Sequence, residues 1–461
     1  MKSSLQPLPA RRNLYGLSAV LLFAAGCAAF AASGWKAFSR EPAPDFAAAT
    51  AIGSPAGPPI MAKPAQASGN VDLVSPDGRV RFNAGFVSSA PGQAVHAASL
   101  AELNDGRLRA VWFAGSREGA RDVSIQTAVM DPSTMQWAAQ STLFDRNRVQ
   151  SDLWRYVKKL GNPVIGRGPD GALYLWMVNV SLGGWAGSSI SWAKSVDEGV
   201  SWSGLRRIVS SPFLNVSTLV KGAPVAYANG QIGVPVYHEF LSKFAEVLRL
   251  DKHGRVIDKI RLSGSQTSLQ PVLLVTGATT AQAYMRSGTA TGLMLSGTQD
   301  AGKSWSATAA GQLPNPDSAL AGLVGSDGRQ WLVINPSVNN REALALAVGG
   351  KNGNFDASGL RPLEVSATPG RRASVEEYEA LLGKQLLASG ASSEQVRAYV
   401  ASARRQLCGP EQCSQEFSYP YLLQSRDGYL HLVYTWHRTR IKHIRLDLTQ
   451  TSLVPDAATN N

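Results

Sequence analysis

A short turn motif, Asp or Asn followed by Gly, constrains this chain more than any other feature. It recurs in "SPDGRV" (75–80), "LNDGRL" (103–108), "GPDGAL" (168–173), "YANGQI" (227–232), "GSDGRQ" (325–330) and "SRDGYL" (425–430). In each, the Asp or Asn side chain accepts local backbone hydrogen bonds, Gly permits positive φ, and a strand-like apolar run follows. Recurrence over more than 300 residues with few helical stretches calls for an array of small antiparallel sheets. Radial repetition protects the edges of such sheets, so a β-propeller meets the pattern. The 44 glycines and a charged fraction of only 17% fit the same all-β expectation.

A second repeat is sharper. "SVDEGVSW" (195–202) returns as "TQDAGKSW" (298–305), both reading [S/T]-x-D-x-G-x-x-W. The residues are Ser195, Asp197, Gly199 and Trp202, then Thr298, Asp300, Gly302 and Trp305. Asp ties a turn, Gly takes positive φ, and Trp packs back on the sheet, so these boxes are expected to be structural. One stretch breaks the β pattern. Residues 374–407 read as two helices, with Tyr378, Leu381, Leu382 and Leu386 on one face of the first. Gly390 punctuates, Ser392 or Ser393 caps the second, and the pair is expected as a small helical insertion that packs or forms a rim.

The N-terminus predicts export. Lys2, Arg11 and Arg12 precede residues 14–35, which carry no formal charge and are long enough to span a bilayer. An uncleaved inner-membrane anchor over 1–38 is one expectation. A cleaved signal, with small residues around Ala29-Phe30-Ala31, is the other. Either leaves the rest of the chain on the periplasmic side or secreted. Residues 39–70, rich in Ala, Pro, Gly and Ser, read as a disordered linker, 71–450 as the propeller and 451–461 as a tail. In an exported chain, Cys408 and Cys413, flanking a Gly-Pro loop, are expected to form a local disulfide. The +12 net charge is spread without a Lys/Arg block, which gives no signal for nucleic acid and suits an acidic substrate. No metal-ligand cluster stands out, and no cofactor is expected.

Residues 416–448 form a last hairpin around Asp427-Gly428, opening on Tyr419 and Tyr421 and ending in His437, Arg438, Arg440, Lys442 and His443. Strand alternation places Arg438, Arg440 and Lys442 on a solvated outer face. Trp112, Trp154, Tyr156, Trp185, Trp192 and Trp436 fall in or near expected loops and strand ends, where rings can stack on sugars. Of these, "DLWRYVKKLGNP" (152–163), with Trp154 and Tyr156, is the strongest candidate for a pocket wall.

The two Asp boxes resemble those of the sialidase superfamily. So do "VHAASLAELNDGRLRAVWFAGSREGARDV", "GNPVIGRGPDGALYLWMV", "LPNPDSALAGLVGSDGRQWLVINP" and the hairpin carrying "YTWHRTRIKH". The likeness runs from about residue 90 to 445 and is greatest to the bacterial sialidase-like branch with BNR repeats. It implies a six-bladed propeller with a site on the axis. It also implies an arginine triad for the substrate carboxylate, an Asp acid/base, and a Tyr nucleophile assisted by Glu.

Carried over residue by residue, Asp122 takes the acid/base place with Arg117 near it. Arg286 and Arg341 match two triad arginines, and His96 stands where the third is expected. Gln270 occupies the place of the assisting Glu, with Glu239 (next to His238) or Glu416 as replacements. The nucleophile is Tyr419, or, in a shifted alignment, the place falls on Phe417. The implied function is exo-hydrolysis of an acidic sugar. The alternatives are a lyase on uronate glycans with His96 or Tyr419 as base, and a non-catalytic propeller binding cell-surface polysaccharide.

Overall fold

The computed structural model describes residues 71–450 apart from 212–214, 290–291 and 352, together with 44–47 and the single residues 21, 24 and 25. Apart from those three single residues, the expected membrane segment (14–35) lies outside the described residues, as does the tail (451–461). Among the described residues no helix is long and apolar enough to cross a membrane.

Six antiparallel sheets follow one another as the blades of a propeller. Their innermost strands are Ala94–Glu102, Lys159–Arg167, the broken pair Leu219–Val220 and Val225–Ala226, Ser268–Val275, Ala321–Val324 and Phe417–Gln424. Each runs from the axis outward through an Asp/Asn-Gly or similar turn into the second strand. Gly106, Gly171, Gly230, Gly328 and Gly428 all take positive φ there, as does Gly78 in the turn between the two outer strands of the last sheet, which is why these turns demand glycine. The sixth blade closes the ring. Val71–Val74 and Arg81–Phe86 pair outside Arg440–Leu446, so the first strands of the domain complete the last sheet. Strand alternation fills the spaces between blades with apolar side chains, and Trp112, Trp176 and Trp331 are fully buried there.

The two Asp boxes are built alike. Asp197 accepts from Ser195 Oγ (2.7 Å), Ser201 N (2.9 Å) and Ser201 Oγ (2.5 Å), and Asp300 accepts from Thr298, Ser304 N and Ser304 Oγ at 2.8, 2.9 and 2.6 Å. The Ser201 bonds hold the Asp197 carboxyl down to about 2. These aspartates are consumed by their own turns.

The insertion is two helices, Val375–Ala388 and Ser393–Leu407. Tyr378, Leu382 and Leu386 pack inward, whereas Ser392 caps the second helix in a capping box with Gln395. A short ladder joins Ala373–Ser374 to Gln412–Cys413, and a Cys408–Cys413 disulfide locks the return.

One part of the expected linker is held by the domain. Phe46 is buried, stacks on Tyr227 at 5.1 Å and donates its N–H to Ala278 O at 2.7 Å. Ala278 lies in the turn after the innermost strand of blade 4, whose other end carries Gln270, so Phe46 docks at the end of the propeller opposite Gln270.

Candidate active site

The axial end of four innermost strands is shaped by the same device. Each strand slips register against its neighbour, between His96 and Ser99, Gly161 and Val164, Leu269 and Val272, and Ser418 and Tyr421. Within each slip one residue is left-handed: Ala97 (φ 55), Asn162 (φ 40), Gln270 (φ 51) and Tyr419 (φ 54). Such bulges redirect side chains and concentrate at functional sites. In three blades the left-handed residue precedes proline: Asn162-Pro163, Gln270-Pro271 and Tyr419-Pro420.

The redirected side chains meet. Gln270 Nε2 donates to the phenol oxygens of Tyr419 (3.1 Å) and Tyr237 (3.3 Å), and Asn162 Nδ2 donates to Tyr237 Oη (3.2 Å). Arg286 Nη1 donates to Gln270 Oε1 (3.1 Å) and lies 3.3 Å from Tyr419 Oη. Burial pushes the Tyr237 phenol up, with Tyr419 and Glu239 adding to the shift. The Tyr419 oxygen therefore faces a guanidinium and an amide donor on the axis.

Three arginines surround this tyrosine. Arg286 Nε pairs with Asp317 Oδ1 (2.5 Å), and Arg341 Nη2 donates to the Asp317 carbonyl (2.7 Å) with its guanidinium 5.9 Å from the Tyr419 ring. Arg438 pairs with Glu416 (2.8 Å) and Glu118 (3.0 Å). Burial alone would raise the Glu416 carboxyl, but Arg438 and Arg341 beside it hold it below the usual range.

Arg438 corrects one expectation. It is not on an outer strand face: His437 and Arg438 are both left-handed (φ 49 and 51) in the hairpin turn before Arg440–Leu446, where strand alternation does not apply. Arg440 and Lys442 are not solvated either. The Arg440 guanidinium lies over Phe86 (3.9 Å) and Tyr399 (4.7 Å) and bonds Ser88 O, and Lys442 pairs with Glu364.

His96 does not act as the third cation. It is buried, its ring centroid is 4.0 Å from that of Tyr419, and among the described residues neither ring nitrogen has a hydrogen-bond partner. Burial, reinforced by Arg438, Arg341, Lys221 and Arg286, holds its pKa well below the ordinary value, so the ring is neutral at pH 7. Arg438 brings the guanidinium that position 96 lacks. Lys221 completes the floor: it is buried, donates to Pro420 O (3.0 Å) and sits 5.8 Å from the Tyr419 ring. Burial brings its pKa down to about 7.

The remaining candidates spread around this centre. Asp122 is exposed and accepts from Ser116 N (2.8 Å) and Oγ (2.9 Å), which shapes the 116–122 loop; Arg117 is exposed on the same loop. Glu239 is half-buried. Burial pushes its carboxyl up, with Arg286 and Lys243 opposing and Asp317 and Glu118 adding. The neighbouring His238 turns away, bonding Glu246 at 2.8 Å. Phe417 is buried and stacks edge-on against His437. Trp154 ends a short helix in a left-handed cap and is 95% exposed; Tyr156 is half-exposed. Trp112, Trp192 and Trp436 are core residues instead of loop rings.

Lys221, Tyr237, Asn162, Asp317 and Glu118 escaped sequence inspection. The polar-residue-before-proline pattern at 162–163, 270–271 and 419–420 is the signal that would have found Asn162.

Six blades and a tyrosine ringed by arginines on the axis define a sialidase-type propeller. The chain belongs to the BNR repeat-like domain family, whose model matches residues 106–432. No curated protein matches closely enough in sequence to serve as a relative. Among solved structures, the fold is similar to an intramolecular trans-sialidase from Ruminococcus gnavus. That match has 12% identity and TM-score 0.55, and covers 80% of this chain and 97% of that one. A protein of unknown function from Dyadobacter fermentans matches at 11% identity and TM-score 0.57, covering 82% and 99%. The Hadza microbial sialidase Hz136 matches at 11% and TM-score 0.55, covering 77% of this chain and 66% of that one. At these identities the likeness is one of fold.

Proposed function

We propose that the chain is an exported glycan-active enzyme that hydrolyses a terminal acidic sugar, sialic-acid-like in its carboxylate. The observation that carries this is the position of Arg286 at 3.3 Å from the Tyr419 hydroxyl, with Arg341 and Arg438 beside the same tyrosine. The guanidinium groups bind the sugar carboxylate in planar pairs, which holds the anomeric carbon over Tyr419. Tyr419 attacks the anomeric carbon as the bond to the leaving oxygen breaks, and its phenol proton is lost to water. Asp122, on its loop, protonates the leaving oxygen and later activates water. Arg117, Trp154 and Tyr156 form the outer wall. Residues 1–38 direct export and either anchor the chain at the inner membrane or are removed, and the catalytic unit is 71–450.

Gln270 favours a second reading. An amide beside Tyr419 donates hydrogen bonds and takes no proton, so the tyrosine lacks the carboxylate partner that hydrolysis by this route uses. In a lyase, Tyr419 would instead remove the proton α to a uronate carboxylate neutralised by the arginines. Incubating the protein with sialosides and with uronate polymers separates the two: hydrolysis releases a reducing sugar only, whereas elimination also yields a product absorbing in the near ultraviolet. Turnover of neither substrate by a protein that still binds them saturably would leave a binding propeller. Absence of both turnover and binding would overturn the proposal.

A further inference from the structure

The helical insertion and its disulfide have no part in the chemistry above, yet they frame a cavity. A space of about 740 Å³ opens beside the axis, lined by Arg341 and Arg438 on the inner side and by Arg371 and Arg372 on the outer side. That volume is within the roughly 300–1,000 Å³ of ordinary ligand sites. Its walls come from the two stems of the insertion, residues 370–372 entering it and 414–416 leaving it. The Ala373–Ser374 to Gln412–Cys413 ladder and the Cys408–Cys413 bridge tie these stems together.

Among the residues lining this cavity positive charge exceeds negative, although Arg438 also pairs with Glu118 from outside it. Four guanidinium groups face two carboxylates, Glu342 and Glu416. Glu416 is already held by Arg438 and Arg341. Glu342 accepts from the backbone N–H of Gln415. Arg371 is fixed in place by a bidentate pair with Glu377 (2.7 and 2.6 Å), a residue outside the cavity. Arg372 is exposed and has no ion pair among the described residues. A single sugar carboxylate bound at Tyr419 engages the axial arginines and leaves Arg372, with Arg371 held beside it by Glu377, facing the rest of the cavity.

We infer that this cavity is a second anionic subsite, which takes the acidic sugar adjoining the one at Tyr419, so that the preferred substrate is a glycan with acidic residues in succession. This rests on the acidic-sugar reading above. The insertion then has a physical role: its stems hold Arg371 and Arg372 at a fixed separation from the axis.

The test uses the full protein and sialic acid or galacturonate oligomers of one to four residues, measured by calorimetry. The dimer should bind at least about tenfold more tightly than the monomer at low salt, since each added guanidinium–carboxylate pair is charge-assisted. The gain should shrink as salt rises. Arg371→Ala with Arg372→Ala should erase the gain and leave monomer affinity unchanged. Arg372→Glu, an exposed change that keeps the Arg371–Glu377 pair, should do so without touching the fold. Equal affinity for monomer and dimer, or a gain that survives both variants, would overturn the subsite while leaving the Tyr419 site intact. If no oligomer and no monomer binds, the acidic-sugar reading itself falls, and the subsite with it.

Discussion

Arg286 Nη1 lies 3.3 Å from the phenol oxygen of Tyr419, although the two residues are 133 positions apart and belong to different blades. Gln270 bridges them, accepting from the first and donating to the second. The phenol oxygen is therefore aimed, donated to and placed beside a fixed positive charge before any substrate arrives, as electrostatic preorganisation requires.

Tyr419→Phe removes the oxygen and keeps the ring against His96 and Lys221. Turnover of the acidic substrate should fall by roughly 10³ or more with the melting temperature nearly unchanged. A variant with wild-type kcat would remove Tyr419 from the chemistry.

Gln270→Glu restores a carboxylate next to Tyr419 and opposite Arg286. Gln270 is buried, but the new charge has Arg286 within hydrogen-bond reach, so the fold should tolerate it. Sialoside hydrolysis should rise by about tenfold or more if a proton acceptor is what the site lacks. A folded variant with unchanged or lower hydrolysis, alongside wild-type elimination activity, would favour the lyase reading.

Lys221 predicts a pH dependence of stability. Burial holds it down to about 7 in the folded chain, and an unfolded lysine titrates near ~10.4. The unfolded chain thus binds more protons between these values, so the cost of burying the ammonium is complete below pH 7 and fades as pH rises toward 10. Lys221→Met should flatten that rise and stabilise the protein at pH 7 by a few kcal/mol, on the order of 3–4. Urea unfolding midpoints at pH 7 and 9.5 read the difference. Equal slopes in both proteins would show that Lys221 is not the source.

Glu102 and Arg426 latch blade 1 to blade 6 away from the site. The buried Glu102 carboxylate accepts from Arg426 N and Nε at 3.0 Å each, and the same guanidinium bonds the Asn104 carbonyl at 2.8 Å. Glu102→Ala strands a guanidinium that is largely out of solvent and should cost about 3 kcal/mol, measured in denaturant, without altering ligand affinity. A loss below about 0.5 kcal/mol would make the pair an ordinary surface bridge.

Local chemistry made much of this protein legible in its sequence. The Asp/Asn-Gly turns, the two Asp boxes, the two helices with their Ser392 cap and the C-x4-C loop each specify their own conformation within a few residues, and each is found where its residues predict. The candidate site was legible only in part. Tyr419, Gln270 and Arg286 stand out by their places in a family pattern, and the fold brings their side chains together. Arg438 was misjudged because alternation was extended through a turn whose two left-handed residues break it. His96 stands where an arginine is expected, and burial keeps its ring from supplying that charge.

Lys221 and Tyr237 carried no local mark at all, because their roles depend on which strands face the axis. Turn geometry and apolar period are short-range, so the sequence by itself determined the strands, their turns and the repeating blade. Ring closure decides which strand ends share the axis, and burial there decides which groups keep their charge. Both are set by side chains hundreds of positions apart, such as the 324 between Glu102 and Arg426, and only the tertiary structure brings those together.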